Sequence, residues 1–458
     1  MDSASPASKG VTAALAASVV ALRLEDVPER ARRAASLALL DWYAVTMAGA
    51  GIEPVPMLTG DAQAEASAPR ARLVGQCGAV SPSLAALVNG TAGHVLDYDD
   101  VHNAVPGHVT INIAPALLAL GEDIRASGAE VLTAFIAGFE MMCKLGLGFA
   151  GSLFQQGWQG TTLGAIAAAA ACSRLLRLDE TQTQMAIALA VAQAGGVHGN
   201  YGSMTKSLNV GLAAQAGLRA AVWASKGITG RTEIIERGKG FIETFGGRFD
   251  AAAAYAPAAG GWHLYRNLFK VHASCFLTHA ALMAWDELNT RQALTLSDIA
   301  EVRVRIEAER HRIVLTDPPK DGLEAKFNLP FCLAMAMHGV DTSDPFNFDM
   351  KTTARADLQA TAARVVVDID PDLWFEAAEV TVNLTDGQVF TAYGDAGTPV
   401  ADMDALSRSV ENKALRLFGL PKAEGNALIR RFRDLIDLPE ITDLHPDECL
   451  LPKRSVSQ

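Results

Sequence analysis

The chain of 458 residues lacks most of the short signatures that would assign a chemistry outright. There is no CxxC pair, no HExxH, and no glycine loop of the nucleotide-binding kind, so redox dithiol, zincin and dinucleotide-type sites have no support. Its six cysteines (77, 143, 172, 275, 332 and 449) are scattered, and are expected to be reduced thiols of a cytoplasmic protein, mostly packed in the core. An excess of basic charge is missing too. With a formal net charge of -12, nucleic acid is not an expected partner, although a local cluster of Lys, Arg and His can still hold a small anion. The N-terminus has no basic flank followed by a continuous apolar stretch, so no signal peptide is expected. Apolar runs such as 165–172 are too short and too rich in Ala for a membrane span, and no membrane partner is expected. No internal repeat or low-complexity linker is visible.

What is present is a helical text that changes character once. Apolar residues recur at three- and four-residue spacing in 11–22, 30–47, 128–149 and 181–194, with Asp179 as a start signal and Gly195-Gly196 as a stop. The Ala-rich stretches 164–171 and 210–224 predict central, closely packed helices, because small side chains let helices approach. From about residue 267 the pattern alternates. Residues 299–307 read as a half-buried strand, 364–370 as another, and 379–393 as a hairpin turning at Asp386-Gly387. Helical patterns at 273–288 and 330–338 lie among these strands, and 402–418 and 422–436 are helical again. The expected class is therefore mainly α: a large all-helical domain (1–266), an inserted smaller α+β lid domain (267–404), and a C-terminal helical return (405–458).

Chemistry is most concentrated in 93–108, where three Asp and three His fall within sixteen residues between apolar flanks. Buried ionisable groups are costly unless paired or used. Asp97, Asp99 and Asp100 with His102 and His108 read either as an acid–base set or as capping carboxylates with a surface His, with metal ligation ranked below both. A Gly-rich loop, 195–206, ends in Lys206 before an Ala-rich helix. That lysine reads as a carboxylate anchor or base, or as an exposed lysine at a helix start. In 157–164, Gln159 and Thr161 are polar groups able to bind a carboxylate, while a plain N-cap by Thr161 or Thr162 explains the same residues. Lys270 and His272 lie where helical text gives way to α+β text. For Cys275 and His279, helix packing is the preferred reading.

In this order, the stretch 89–100 (NGTAGHVLDYDD), the block at Lys206-Ser-Leu-Asn-Val-Gly, Phe269-Lys270, the 324–330 block (EAKFNLP), Asp386-Gly387 and Glu411-Asn-Lys413 resemble the MmgE/PrpD family. Its members include 2-methylcitrate dehydratase, cis-aconitate decarboxylase and iminodisuccinate epimerase. The resemblance implies a helical domain with an α+β lid, a homodimer, no metal or organic cofactor, and a site between the domains for a small di- or tricarboxylate. It places the catalytic positions on His108, Asp97, Lys206 and Lys270, with His102, Gln159, Thr161 and Tyr201 as candidate binding residues.

The chain departs from the dehydratase and decarboxylase pattern at Gln159, where His is usual, at Phe331, where Tyr is usual, and at Val101, where Thr is frequent. Gln and Phe cannot donate a proton to a departing hydroxide. On that ground the sequence reading puts an iminodisuccinate-type epimerase first and a methylcitrate-type dehydratase or related decarboxylase second. His108 is one base tuned by Asp97, and Lys206 or Lys270 is the opposite-face acid–base.

Overall fold

The computed structural model describes residues 10–445, apart from Pro106 and Leu315. Cys449 and the end of the C-terminal return lie outside the described residues. The chain divides into two compact units. The first comprises Met1–Val95, Asp99–Phe269 and Val400–Gln458, and the second Leu96–Tyr98 and Lys270–Pro399. The division therefore falls at 269/270 and 399/400. A three-residue piece of the Asp-rich turn, 96–98, belongs to the second unit, which no sequence pattern announces.

The first unit is built on helices Pro82–Ala92, Thr110–Ile124, Gly128–Phe149, Thr161–Leu175 and Met204–Ser225, which pack on one another. Ala165 to Ala171 are at most 1% exposed, so Thr161–Leu175 is enclosed on all sides, as its Ala content predicts. Helices Pro82–Ala92 and Met204–Ser225 cross at two glycines. A Cβ on Gly90 would lie 2.8 Å from the Gly211 Cα, so a larger residue at either position would push the helices apart. That crossing matters for the site, because the first helix ends beside His94 and the second begins at Met204, two residues before Lys206. Helix Glu29–Gly49 packs on Met403–Phe418, so the returning C-terminal segment completes this unit.

Three expectations are corrected here. The unit is not all-helical, because Ala71–Arg72 and Ala79–Val80 form a short antiparallel pair. Two-residue strands are too brief to carry a period. Helix Gly128–Phe149 is, at 22 residues, long and apolar enough to cross a bilayer by length and composition, contrary to the reading that every apolar run is too short. It is, however, largely buried among its neighbours. The helix expected to run to Ala194 stops at Val191, with Asp179 forming a capping box with Gln182 at its start.

The second unit carries a four-stranded sheet in the order Val365–Ile369, Ile299–Ile306, Ala377–Leu384, Val389–Asp395. The first pair is parallel and the others antiparallel. Parallel pairing needs a long crossover, supplied by Gly322–Phe327, Leu329–Met337 and Ala356–Ala362. The last two strands form the hairpin turning at Asp386-Gly387, where Gly387 has φ +90°. Helix Phe276–Gln292 covers these two strands.

Candidate active site

Within the first unit the Asp-rich turn presents one carboxylate to two imidazoles. Asp99 is fully buried. His94 Nδ1 lies 2.9 Å from its Oδ1, and His108 Nδ1 lies 2.8 Å from its Oδ2. The two rings meet edge-on, with centroids 4.5 Å apart. His94 follows the end of helix Pro82–Ala92, and His108 precedes helix Thr110–Ile124. Between them the chain is tied down by backbone pairing of Val101 with Leu268 and of His102 with Gly107.

Electrostatics fixes the state of His94. Burial lowers His94 to about 4; Asp99 opposes this, while the Lys206 ammonium and His108 reinforce it. His94 is thus neutral near pH 7, donating Nδ1–H to Asp99 and keeping a basic Nε2. Burial acts to raise Asp99, but His108 and His94 hold it well below the usual carboxylate range. Lys206 sits in the first turn of its helix, half-buried, with its ammonium 5.7 Å from the Tyr201 ring. Tyr201 in turn stacks on His198, with ring centroids 4.9 Å apart.

His108 pairs with Asp99, a carboxylate that the sequence reading singled out for no particular role. Asp97 pairs instead with Lys270 in the second unit, Nζ to Oδ1 3.0 Å. Lys270 also donates to the Asp97 and Ser274 carbonyls. It is 1% exposed, and these three contacts use all three ammonium hydrogens. Asp97 has φ +49°, an unusual backbone state for a non-glycine residue. Lys326, of the 324–330 block, grips the same turn from the Leu96 carbonyl and also holds the Ala273 carbonyl. The sequence had assigned it no role.

Among the candidate binding residues, His102 does not join the imidazole pair. Its Nε2 donates to the His263 carbonyl and its Nδ1 accepts from the Ala104 amide, so both ring nitrogens are spent on backbone. Gln159 donates to the Val197 carbonyl and accepts from Asn209, which fixes its amide and leaves it no acid function. Thr161 and Thr162 are not N-caps. Both hydroxyls donate to the Gly195 carbonyl, so they clamp the loop that leads to Lys206.

Among the described residues, two donor sets have the composition of a metal site: His102, Cys143 and His263, and a set that includes His94, Asp99 and His108. In the first, His102 has no lone pair to offer. In the second, both Nδ1 atoms already face the one carboxylate, which suits proton transfer better than ligation. A cleft of about 690 Å³ elsewhere in this unit is lined by Glu29, Arg32, Arg33, Glu411 and Arg433, but Arg33 is answered by Asp404 and Arg433 by Glu411. One expectation about the thiols also fails. Cys77 is disulfide-bonded, whereas Cys143, Cys172, Cys275 and Cys332 are free and buried. Scattered spacing says nothing about which sulfurs meet in space.

The MmgE/PrpD N-terminal domain matches residues 13–254, and the MmgE/PrpD C-terminal domain matches residues 272–419. The cis-aconitate decarboxylase of Aspergillus terreus is 30% identical over 319 residues, 65% of this chain and 64% of its own length. The match therefore spans a little under two thirds of that relative. The Homo sapiens cis-aconitate decarboxylase is 27% identical over 386 residues, covering 79% of this chain and 78% of its own. That of Mus musculus is 25% identical over 466 residues, 95% and 93% of the two chains. With both domain families matched over most of its length, this chain belongs to the MmgE/PrpD family.

Proposed function

We propose that the protein is a lyase that decarboxylates a small unsaturated tricarboxylate of the cis-aconitate kind, by proton transfer through its own side chains. The observation that carries this reading is the Asp99 carboxylate shared by His94 and His108. In the step proposed, the C–C bond to the departing CO2 breaks and its electron pair remains on carbon, delocalised toward a neighbouring carboxylate. Lys206 neutralises that carboxylate, and His108, as imidazolium against Asp99, gives its proton to the carbon. The relatives' activity supports a lyase over the epimerase that the sequence reading had put first. Decarboxylation also accommodates Gln159 and Phe331, since no hydroxide leaves and no acid is needed on a leaving oxygen. Dehydration of a 2-methylcitrate-type substrate fits those two residues less well.

The iminodisuccinate-type epimerase stands second, favoured by one observation: two imidazoles lie side by side, and His94 retains a neutral, basic nitrogen. Asp97 and Lys270 are proposed to fix the 96–98 turn. A homodimer in the cytoplasm completes the proposal. Proton NMR in deuterium oxide separates the readings. Loss of cis-aconitate with bicarbonate release and one deuteron on the product carbon is expected. Deuterium exchange and loss of stereochemical purity in iminodisuccinate, with cis-aconitate untouched, would install the epimerase instead.

A further inference from the structure

Asp99 is one of four ionisable side chains, from three distant parts of the chain, that are buried together. Asp41 comes from helix Glu29–Gly49, Lys413 from Met403–Phe418, and Asp99 and Asp100 from the turn. Lys413 Nζ lies 2.7 Å from Asp41 Oδ1, and the two side chains are 5% and 1% exposed. Asp100 Oδ2 accepts from Thr110 and from Asn267, while its Oδ1 is buried with no hydrogen-bond partner among the described residues. A full negative charge is badly supported on such an atom.

We propose that the buried Asp41–Lys413 ion pair is a positioning element for the reaction, setting the charge balance around Asp99 and Asp100 so that the imidazole pair keeps its working proton count. This rests on the proton-transfer reading above and names residues that reading does not use. Burial, Asp41 and Asp99 raise Asp100 to about 7, against the pull of Thr110 and Asn267. Burial lowers Lys413, while Asp41, Asp99 and Asp100 hold it up, so its charge answers to all three carboxylates. The other groups facing this set are His94 and His108 on Asp99, Lys206 toward His94, and Cys143 toward Asp100, with Glu140 and Lys144 beside that thiol.

The proposal has a sign that a merely structural role does not. Lys413→Met removes a positive charge near Asp99, and should raise the proton affinity of the His94 ring about tenfold. Asp41→Asn removes one of the carboxylates that oppose the ammonium and should lower that affinity by a similar factor. Asp41→Asn/Lys413→Met restores the balance and should return it close to the starting value. The readout is ring 15N NMR of the intact protein, assigned with His94→Gln and His108→Gln, together with the acid limb of kcat/KM. Shifts of the same sign in both single variants, or none, overturn the proposal. Should Lys413→Met fail to fold, the comparison of Asp41→Asn with the double variant carries the same sign. Opposite ring shifts in a protein that turns over no carboxylate would retain this inference and remove the proposed reaction.

Discussion

The His94 side chain is 3% exposed, whereas His108 keeps 15% of its side chain in solvent, which favours His108 as the ring proposed to exchange protons during turnover. His108→Ala should lower kcat by about 10²–10⁴-fold with the circular dichroism spectrum unchanged, the usual worth of one acid–base group. Asp99→Asn should cost a similar factor, because an amide cannot stabilise the imidazolium. Substantial turnover in either folded variant would refute the assignment. Stability is coupled to the same chemistry. Burial lowers both His94 and His102 to about 4, below the usual histidine value of 6.5. Unfolded chains bind protons from about pH 6.5 downward, while the native rings stay neutral to about 4. Stability therefore falls as pH drops across that window, by an amount of order 1 kcal/mol per unit of pKa difference. His102→Gln should flatten the decline of Tm between pH 6.5 and 4; an unchanged slope would show that other groups govern it. Of the residues proposed for this chemistry, His108 and Lys206 stand out in the sequence, but Asp99 does not. Three carboxylates share the segment 97–100, and only the fold pairs Asp99 with the two imidazoles and Asp97 with Lys270.

Helices bring these groups together through close crossings. At Gly90 and Gly211 there is no room for a side chain, since an added Cβ at Gly211 would collide with the Leu87 carbonyl. Gly211→Val should destabilise by about 1–3 kcal/mol, the cost of overpacking, and should lower activity further by displacing Lys206 from His94. A chemical denaturation curve and KM for the substrate test the two parts separately; a Gly211→Val protein as stable as the parent would show that the helices give way freely. The periodicity of these helices is plain in the sequence, as are the Asp-Gly hairpin and the alternating strands. The 94–109 segment is not, because its shape comes from isolated backbone pairings that leave no period. Gln159 and Thr161 illustrate the same limit. A polar turn before a helix is compatible with a cap, a ligand contact or a loop clamp, and only the position of Gly195 distinguishes them.

The first unit is assembled from three chain segments, and its last one carries Lys413 back to Asp41. Truncation after Pro399 should therefore do more than shorten the chain. It removes the cation from a carboxylate that is 1% exposed, and breaking such a buried pair costs about 3–5 kcal/mol. It also uncovers the face of Glu29–Gly49 on which Met403–Phe418 packs. The expected result is a chain without a cooperative thermal transition; a sharp melt near that of the full chain would show the C-terminal return to be dispensable. Sequence alone determined the helical and α+β texts, the approximate place where one gives way to the other, the family, and the segment densest in ionisable groups, since these depend on local periodicity, residue type and motif order. Tertiary structure alone decided that Asp99 is the shared carboxylate, that Lys270 is spent on the 96–98 turn, and that Asp41 and Lys413 stand behind the site. Such pairings join residues up to 372 positions apart, and the energy of a buried charge depends on what surrounds it in space, which no order of residues along a chain records.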